Sequence, residues 1–185
     1  MLTAMYSLVA IRAEQKNVRS ILGRLRYHID SSRRELQATD LSLLELVMRR
    51  FFQFDAYCHA RKVEVYVIPA IHCDDTAINN LLAELDAFSA AAMGILASLQ
   101  EHHAEAREQG HVDHHQFFAE AEKYCETISC RLTKEDEHLF PEIGRLLTRE
   151  DWFALGTQFL SDDGDKYAHR RIQPPSMPAA LDVLS

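Results

Sequence analysis

Arg131-Leu132-Thr133-Lys134-Glu135-Asp136-Glu137-His138-Leu139-Phe140-Pro141 is the stretch whose reading decides the fold of this chain. Arg131 and Glu135 are four apart, so on a helix they share one face. Pro141 ends the run, because proline cannot continue the hydrogen-bond ladder of a helix interior. An earlier stretch has the same layout. His59 precedes Val63 by four and Pro69 by ten, as Arg131 precedes Glu135 and Pro141, at an offset of 72 residues. Upstream of each stretch a second pair of segments repeats. Ala13-Glu14-Gln15 with Ile21-Leu22 recurs as Ala87-Phe88-Ser89 with Ile95-Leu96, at an offset of 74. Two similar helical hairpins closing into one bundle account for this order. Gln15, His59, Val63, Ser89, Arg131 and Glu135 would then face one another inside it.

Hydrophobic periodicity extends this reading along the chain. Leu8, Ile11, Gln15, Val18, Leu22, Leu25 and Ile29 recur at spacings of three and four, which marks one face of a first helix over 5–38. Thr39-Asp40 is a plausible N-cap for a second helix over 41–70, with inner stripe Leu44, Val47, Phe51, Asp55, His59, Val63 and Tyr66. A third helix starts at Asp74-Asp75-Thr76, with stripe Ile78, Leu82, Leu85, Ser89, Ala92, Leu96 and Leu99. Gln109-Gly110 breaks the chain before a fourth, with stripe Phe117, Ala121, Tyr124, Ile128, Arg131, Glu135 and His138. Thr148-Arg149-Glu150 is the capped start of a short fifth helix over 149–160. The expected architecture is all-α, an up-down-up-down four-helix bundle over 1–162 with that short fifth helix. A tail over 163–185, rich in proline from Pro174, is expected to have little fixed structure, docking at most by Leu181, Val183 and Leu184.

Composition narrows the function. Six Gly and five Pro in 185 residues favour long helices over many short strands. A formal net charge of -8 argues against nucleic acid as the main partner, since phosphate binding needs concentrated basic surface. The sequence shows no unbroken apolar run long enough to span a membrane and no basic, cleavable leader, so a cytoplasmic protein with no membrane partner is expected. Four Cys in this length read as reduced thiols. Nothing resembles a nucleophile elbow, a phosphate loop or a paired-cysteine motif, and no enzymatic activity is expected. The remaining partner is an unidentified protein or small molecule. Met1, Leu2, Met5 and Tyr6 offer a face on which a second copy would pack as a homodimer.

Cys58-His59-Ala60-Arg61-Lys62-Val63-Glu64-Val65-Tyr66-Val67-Ile68 resembles the HHPKEDxYLF motif of the hemerythrin-like, or HHE cation-binding, domain family. The stretch Arg131–Pro141 resembles that family's HxxxEEExLFP motif, and Leu147-Thr148-Arg149-Glu150-Asp151-Trp152 its LTxEDW segment. Ile11 to Gln15 and Glu84 to Ser89 are similar to its first and third helices, so the resemblance covers roughly 8–160. The family implies four helices holding a pair of irons through two lone His and two HxxxE pairs.

This chain departs from that set. The lone His positions are Gln15 and Ser89, and the HxxxE pairs are His59 with Val63 and Arg131 with Glu135. Only His59 and Glu135 keep the ligand type, and a cationic Arg repels metal. The resemblance therefore implies a degenerate, metal-free diiron site with no cofactor, in a non-enzymatic binding or regulatory module. Arg131 would stand in for the metal charge, paired with Glu135 one turn away and with Gln15, Ser89 and His59 around it. The plainer alternative turns Arg131 outward into a surface pair. A second alternative keeps iron or zinc, held by His59, Glu135 and His138 with Asp55 nearby, and handles iron, oxygen or nitric oxide. His102, His103, His111, His114 and His115 with Asp113 form a further group suited to adventitious zinc or to plain solvation. Cys58 and Cys130 occupy equivalent repeat positions. They read as small buried hydrophobes, with oxidant sensing beside Arg131 as the sharper alternative.

Overall fold

Seven α-helices and two wider π turns make up a computed structural model that describes residues 2–35, 41–72, 74–109 and 113–172, and no strand occurs among them. The helices are α1 (Leu2–Glu35), α2 (Leu41–His59), α3 (Ile68–Ala70), α4 (Thr76–Gln109), α5 (His114–Lys134), α6 (Phe140–Leu146) and α7 (Arg149–Ile172). The π turns are Val63–Val67, between α2 and α3, and Glu135–Leu139, between α5 and α6. The Thr39-Asp40 cap and the chain beyond 172 lie outside the described residues.

The sequence repeat is a backbone repeat. Each π turn is followed by a short helix with proline at its start, Pro69 or Pro141, and that helix ends in extended backbone at Ile71 or Leu147. The offset from Val63 to Glu135 and from Val67 to Leu139 is again 72 (135 − 63 and 139 − 67). A proline ring collides with the carbonyl four residues back, here Val65 or Glu137, and removes a donor. A turn widened to π spacing just before the proline relieves both problems without ending the helix.

Four helices supply one apolar core: Val18 to Ile29 of α1, Leu44 to Cys58 of α2, Ala92 to Ala106 of α4, and Phe117 to Leu132 of α5. Tyr124 anchors it, edge-on to Phe51 at 5.1 Å, with its hydroxyl donating to Asp55 Oδ1 at 2.9 Å. A second core joins Ile11, Val63, Val67, Leu85, Leu139 and Ile143 to Trp152, Leu155 and Phe159 of α7. Gln15 meets Arg61 while His28 faces Arg50, so α1 and α2 run antiparallel. Glu84 pairs with Lys134 and His102 with Glu120, so α4 and α5 do too.

The start of α7 is the reciprocal cap its sequence announces. Asp151 N donates to Thr148 Oγ1 at 3.2 Å, and Thr148 N donates to Asp151 Oδ2 at 2.8 Å. The helix then continues to Ile172, past the boundary at 162 read from the sequence. Tyr66 ties it to the first π turn by donating to Asp162 Oδ2 at 2.6 Å. The expectation of no unbroken apolar run is complemented by a window-averaged measure. By length and composition alone Thr76–Glu108 is apolar enough to cross a membrane, at a mean hydropathy of 1.5 in its most apolar window. Its longest stretch without a charged residue runs only from Ala87 to Gln100, between Asp86 and Glu101. Its Leu85, Ala92, Leu96 and Leu99 are buried in the two cores.

Candidate functional site

The two apolar cores are separated by a layer of buried charge. On α1 it falls between Ile11 and Val18, at Gln15; after α2 it falls between Cys58 and Val63; on α5 and its π turn it spans Arg131 and Glu135. Two guanidiniums and two carboxylates meet there: Arg61, Arg131, Glu64 and Glu135. These two positive and two negative charges balance one another, the condition under which buried ions are tolerated, while the neighbouring buried Lys62 sets its Nζ 5.2 Å from the Phe159 ring of the second core.

Arg61 is its centre, at 1% relative exposure. Its Nη1 donates to Glu135 Oε2 at 2.8 Å and its Nη2 to Glu135 Oε1 at 2.7 Å, a fork-to-fork pair with a carboxylate that is 0% exposed. The second proton on each nitrogen goes to Gln15 Oε1 at 2.9 Å and Glu64 Oε1 at 2.6 Å. Nε donates to the carbonyl of Cys58 at 3.2 Å. All five guanidinium N–H groups therefore have an acceptor. Burial works against the charge on Arg61, but the hydrogen bonds and charge of Glu135, with the charge of Glu64, outweigh it and raise its pKa above the ordinary value.

Arg131 points inward, as expected, but its main partner is not Glu135. Its Nη2 donates to Glu64 Oε2 at 2.8 Å and its Nη1 sits 2.5 Å from Glu64 Oε1, whereas Glu135 Oε1 lies 3.6 Å away. Nε donates to the carbonyl of Leu85 on α4 at 3.2 Å. Glu64 thus bridges the two arginines. Burial pushes its carboxyl up, yet the hydrogen bond and charge of Arg131 and the charge of Arg61 hold it below the usual carboxylate range. Gln15 closes the ring by donating from Nε2 to the carbonyl of Leu132 at 3.2 Å. Each repeat contributes one Arg and one Glu, and each bonds chiefly across to the other.

His59 is the largest correction. It does not enter this layer: its side chain is 48% exposed, and Nε2 lies 3.5 Å from Asp55 on its own helix. α2 ends at His59, and the chain turns through Ala60 and Arg61 before the π turn begins. Arg61 N reaches back to Cys58 O at 3.4 Å, and Lys62 N donates to Glu14 Oε2 at 2.6 Å. The buried face of α2 runs through Val47, Phe51, Phe54 and Cys58, so His59 already lies on its solvent side, and Arg61, three residues past Cys58, turns in. Val63 is buried but apolar, and Ser89 is half-buried and makes no side-chain bond described for this layer.

The set His59, Glu135 and His138 is not brought together. Glu135 is enclosed by Arg61, while both histidines are exposed. Asp55 is engaged by Tyr124. Among the described residues no group of three or more His, Cys, Asp or Glu is placed to hold a metal. The layer's own donors do not fit a metal pair either. A guanidinium has no lone pair to offer, and the oxygens of Glu64 and Glu135 already accept from arginine.

The other histidines and the cysteines stand apart from this layer. His102 Nδ1 lies 3.3 Å from Glu120, and Asp113 caps α5 by accepting from Gln116 N at 3.1 Å. His111 and the side chain of His114 lie outside the described residues. Cys58 is buried, and burial pushes its thiol up to about 12 despite the neighbouring Arg61, so it is no thiolate at neutral pH. Cys130 is exposed rather than buried, which separates it from its repeat counterpart.

No family model matches this chain, and no curated protein and no solved structure does so.

Proposed function

We propose that this protein is a hemerythrin-like four-helix bundle whose diiron site has been replaced by a cross-paired Arg–Glu cluster, and that it acts as a metal-free, non-enzymatic binding or regulatory module. The observation that carries this reading is the position of the cluster. Arg61 and Glu64 adjoin one π turn, and Arg131 and Glu135 adjoin the other, at the level where the resembling family places its metal ligands. The antiparallel order of α1, α2, α4 and α5 supports the up-down-up-down bundle. Two guanidiniums balance the two carboxylates one for one and withdraw the open coordination positions that oxygen or nitric oxide would need. What remains for function is the outer surface, in a cytoplasmic setting.

Metal content per chain, after anaerobic loading with ferrous iron and desalting, tests this. Near-zero iron in the parent, with no gain until Arg61 and Arg131 are both replaced by His, is the expected result. About two irons per parent chain would restore the metal-handling reading.

A further inference from the structure

A groove of about 460 Å³ lies between α1 and α2, away from the charged layer. Leu25 and Phe54, both buried, form its floor, and Ile21 and Tyr57 its partly buried walls. Arg24, His28 and Arg50 line it as well, with Gln53, and no carboxylate does. The antiparallel pairing orders these groups. His28 feels the charges of Arg50 and Arg24, which gathers the basic groups at one end, while Tyr57 lies toward the other, near Glu14 and Arg61. Among the described residues neither Arg24 nor Arg50 has an acidic partner, whereas Arg19, Arg33, Arg61, Arg131 and Arg145 all do. Other surface arginines among the described residues also have no acidic partner; what sets Arg24 and Arg50 apart is that both line one groove with an apolar floor and no carboxylate.

We propose that this groove binds a small amphipathic monoanion, a carboxylate on an apolar body. Its head would lie on Arg24 and Arg50, and its body on Leu25, Phe54 and Tyr57. The volume is that of a small-molecule site, and a guanidinium is the side chain best shaped for a carboxylate. Aromatic walls at the far end favour a ring or chain over a second charge. The site does not depend on the nature of the buried cluster, so it stands or falls separately from the metal-free reading.

Titration calorimetry with 2-naphthoate, its neutral isostere 2-naphthamide, and acetate tests the proposal. Naphthoate is expected to bind with a Kd below about 1 mM, and naphthamide and acetate at least about tenfold more weakly, a difference of roughly 1.4 kcal/mol or more. The Arg24→Gln/Arg50→Gln double variant, its fold checked by far-UV circular dichroism, should lose naphthoate to the same degree. Arg24→Lys should lose less. Equal binding of naphthamide would remove the anion requirement, and equal binding of acetate the apolar one. Absence of naphthoate binding, or unchanged binding in the double variant, overturns the site.

Discussion

The two repeats carry the same backbone device and use it differently. In the second, α5 runs without interruption into its π turn, so Arg131 and Glu135 keep the i,i+4 spacing and both face inward. In the first, α2 stops at His59 and the chain bends before the π turn, so the inward pair is Arg61 with Glu64, spaced i,i+3. A continuous helix preserves the face its sequence predicts. In the first repeat the buried face of α2 runs through Phe51, Phe54 and Cys58 to Arg61, so His59 lies on the solvent side before the bend begins.

That contrast ranks the consequences of substitution. Arg61→Met should be the most damaging change, because it strands Glu135 fully buried with only the 3.6 Å approach of Arg131. A loss on the order of 3–5 kcal/mol, read from urea unfolding, is expected. Arg131→Met should cost less, on the order of 1–3 kcal/mol, because Glu64 is partly exposed and keeps Arg61. Equal losses would mean that the repeats share the load evenly and that the broken one is not the centre.

Acid provides a third way to separate the partners. The folded pKa of Glu64 lies below its ordinary value, so its contribution is fully present above the ordinary carboxylate range and is lost as pH falls through the depressed folded value. The urea midpoint of the parent should therefore fall on the acid side, and Glu64→Gln should flatten that limb. An unchanged acid limb would place the sensitive carboxylate elsewhere. The smallest effect belongs to His59→Ala, expected within about 0.5 kcal/mol of the parent, since the side chain is exposed and pairs only with Asp55. A loss several times larger would return His59 to the interior.

The sequence made the helices and the second repeat legible because both rest on regular spacing. Phe117, Ala121, Tyr124, Ile128, Arg131 and Glu135 are all buried, as period 3.6 requires. The stripe fails at His138, which lies beyond the π spacing and is exposed. Arg61 escapes a stripe drawn through Asp55 and His59; the stripe that is buried, Val47, Phe51, Phe54 and Cys58, continues at the same three-and-four spacing to Arg61. Two further signals point to it. Pro69 demands a disturbed turn upstream of it, and Arg61 with Glu64 forms an i,i+3 pair in the stretch that disturbance affects. The cross-pairing of Arg61 with Glu135 was not legible at all. It joins residues 74 apart through a bend that no local pattern encodes.

A double-mutant cycle on Arg61→Met and Glu135→Leu tests the cross-paired cluster most directly. Each single variant should be strongly destabilised. The double variant should recover, with a coupling of about 2 kcal/mol or more, because removing both charges leaves none of them stranded. Additive losses, with no coupling between these two positions, would contradict the pairing on which the account rests.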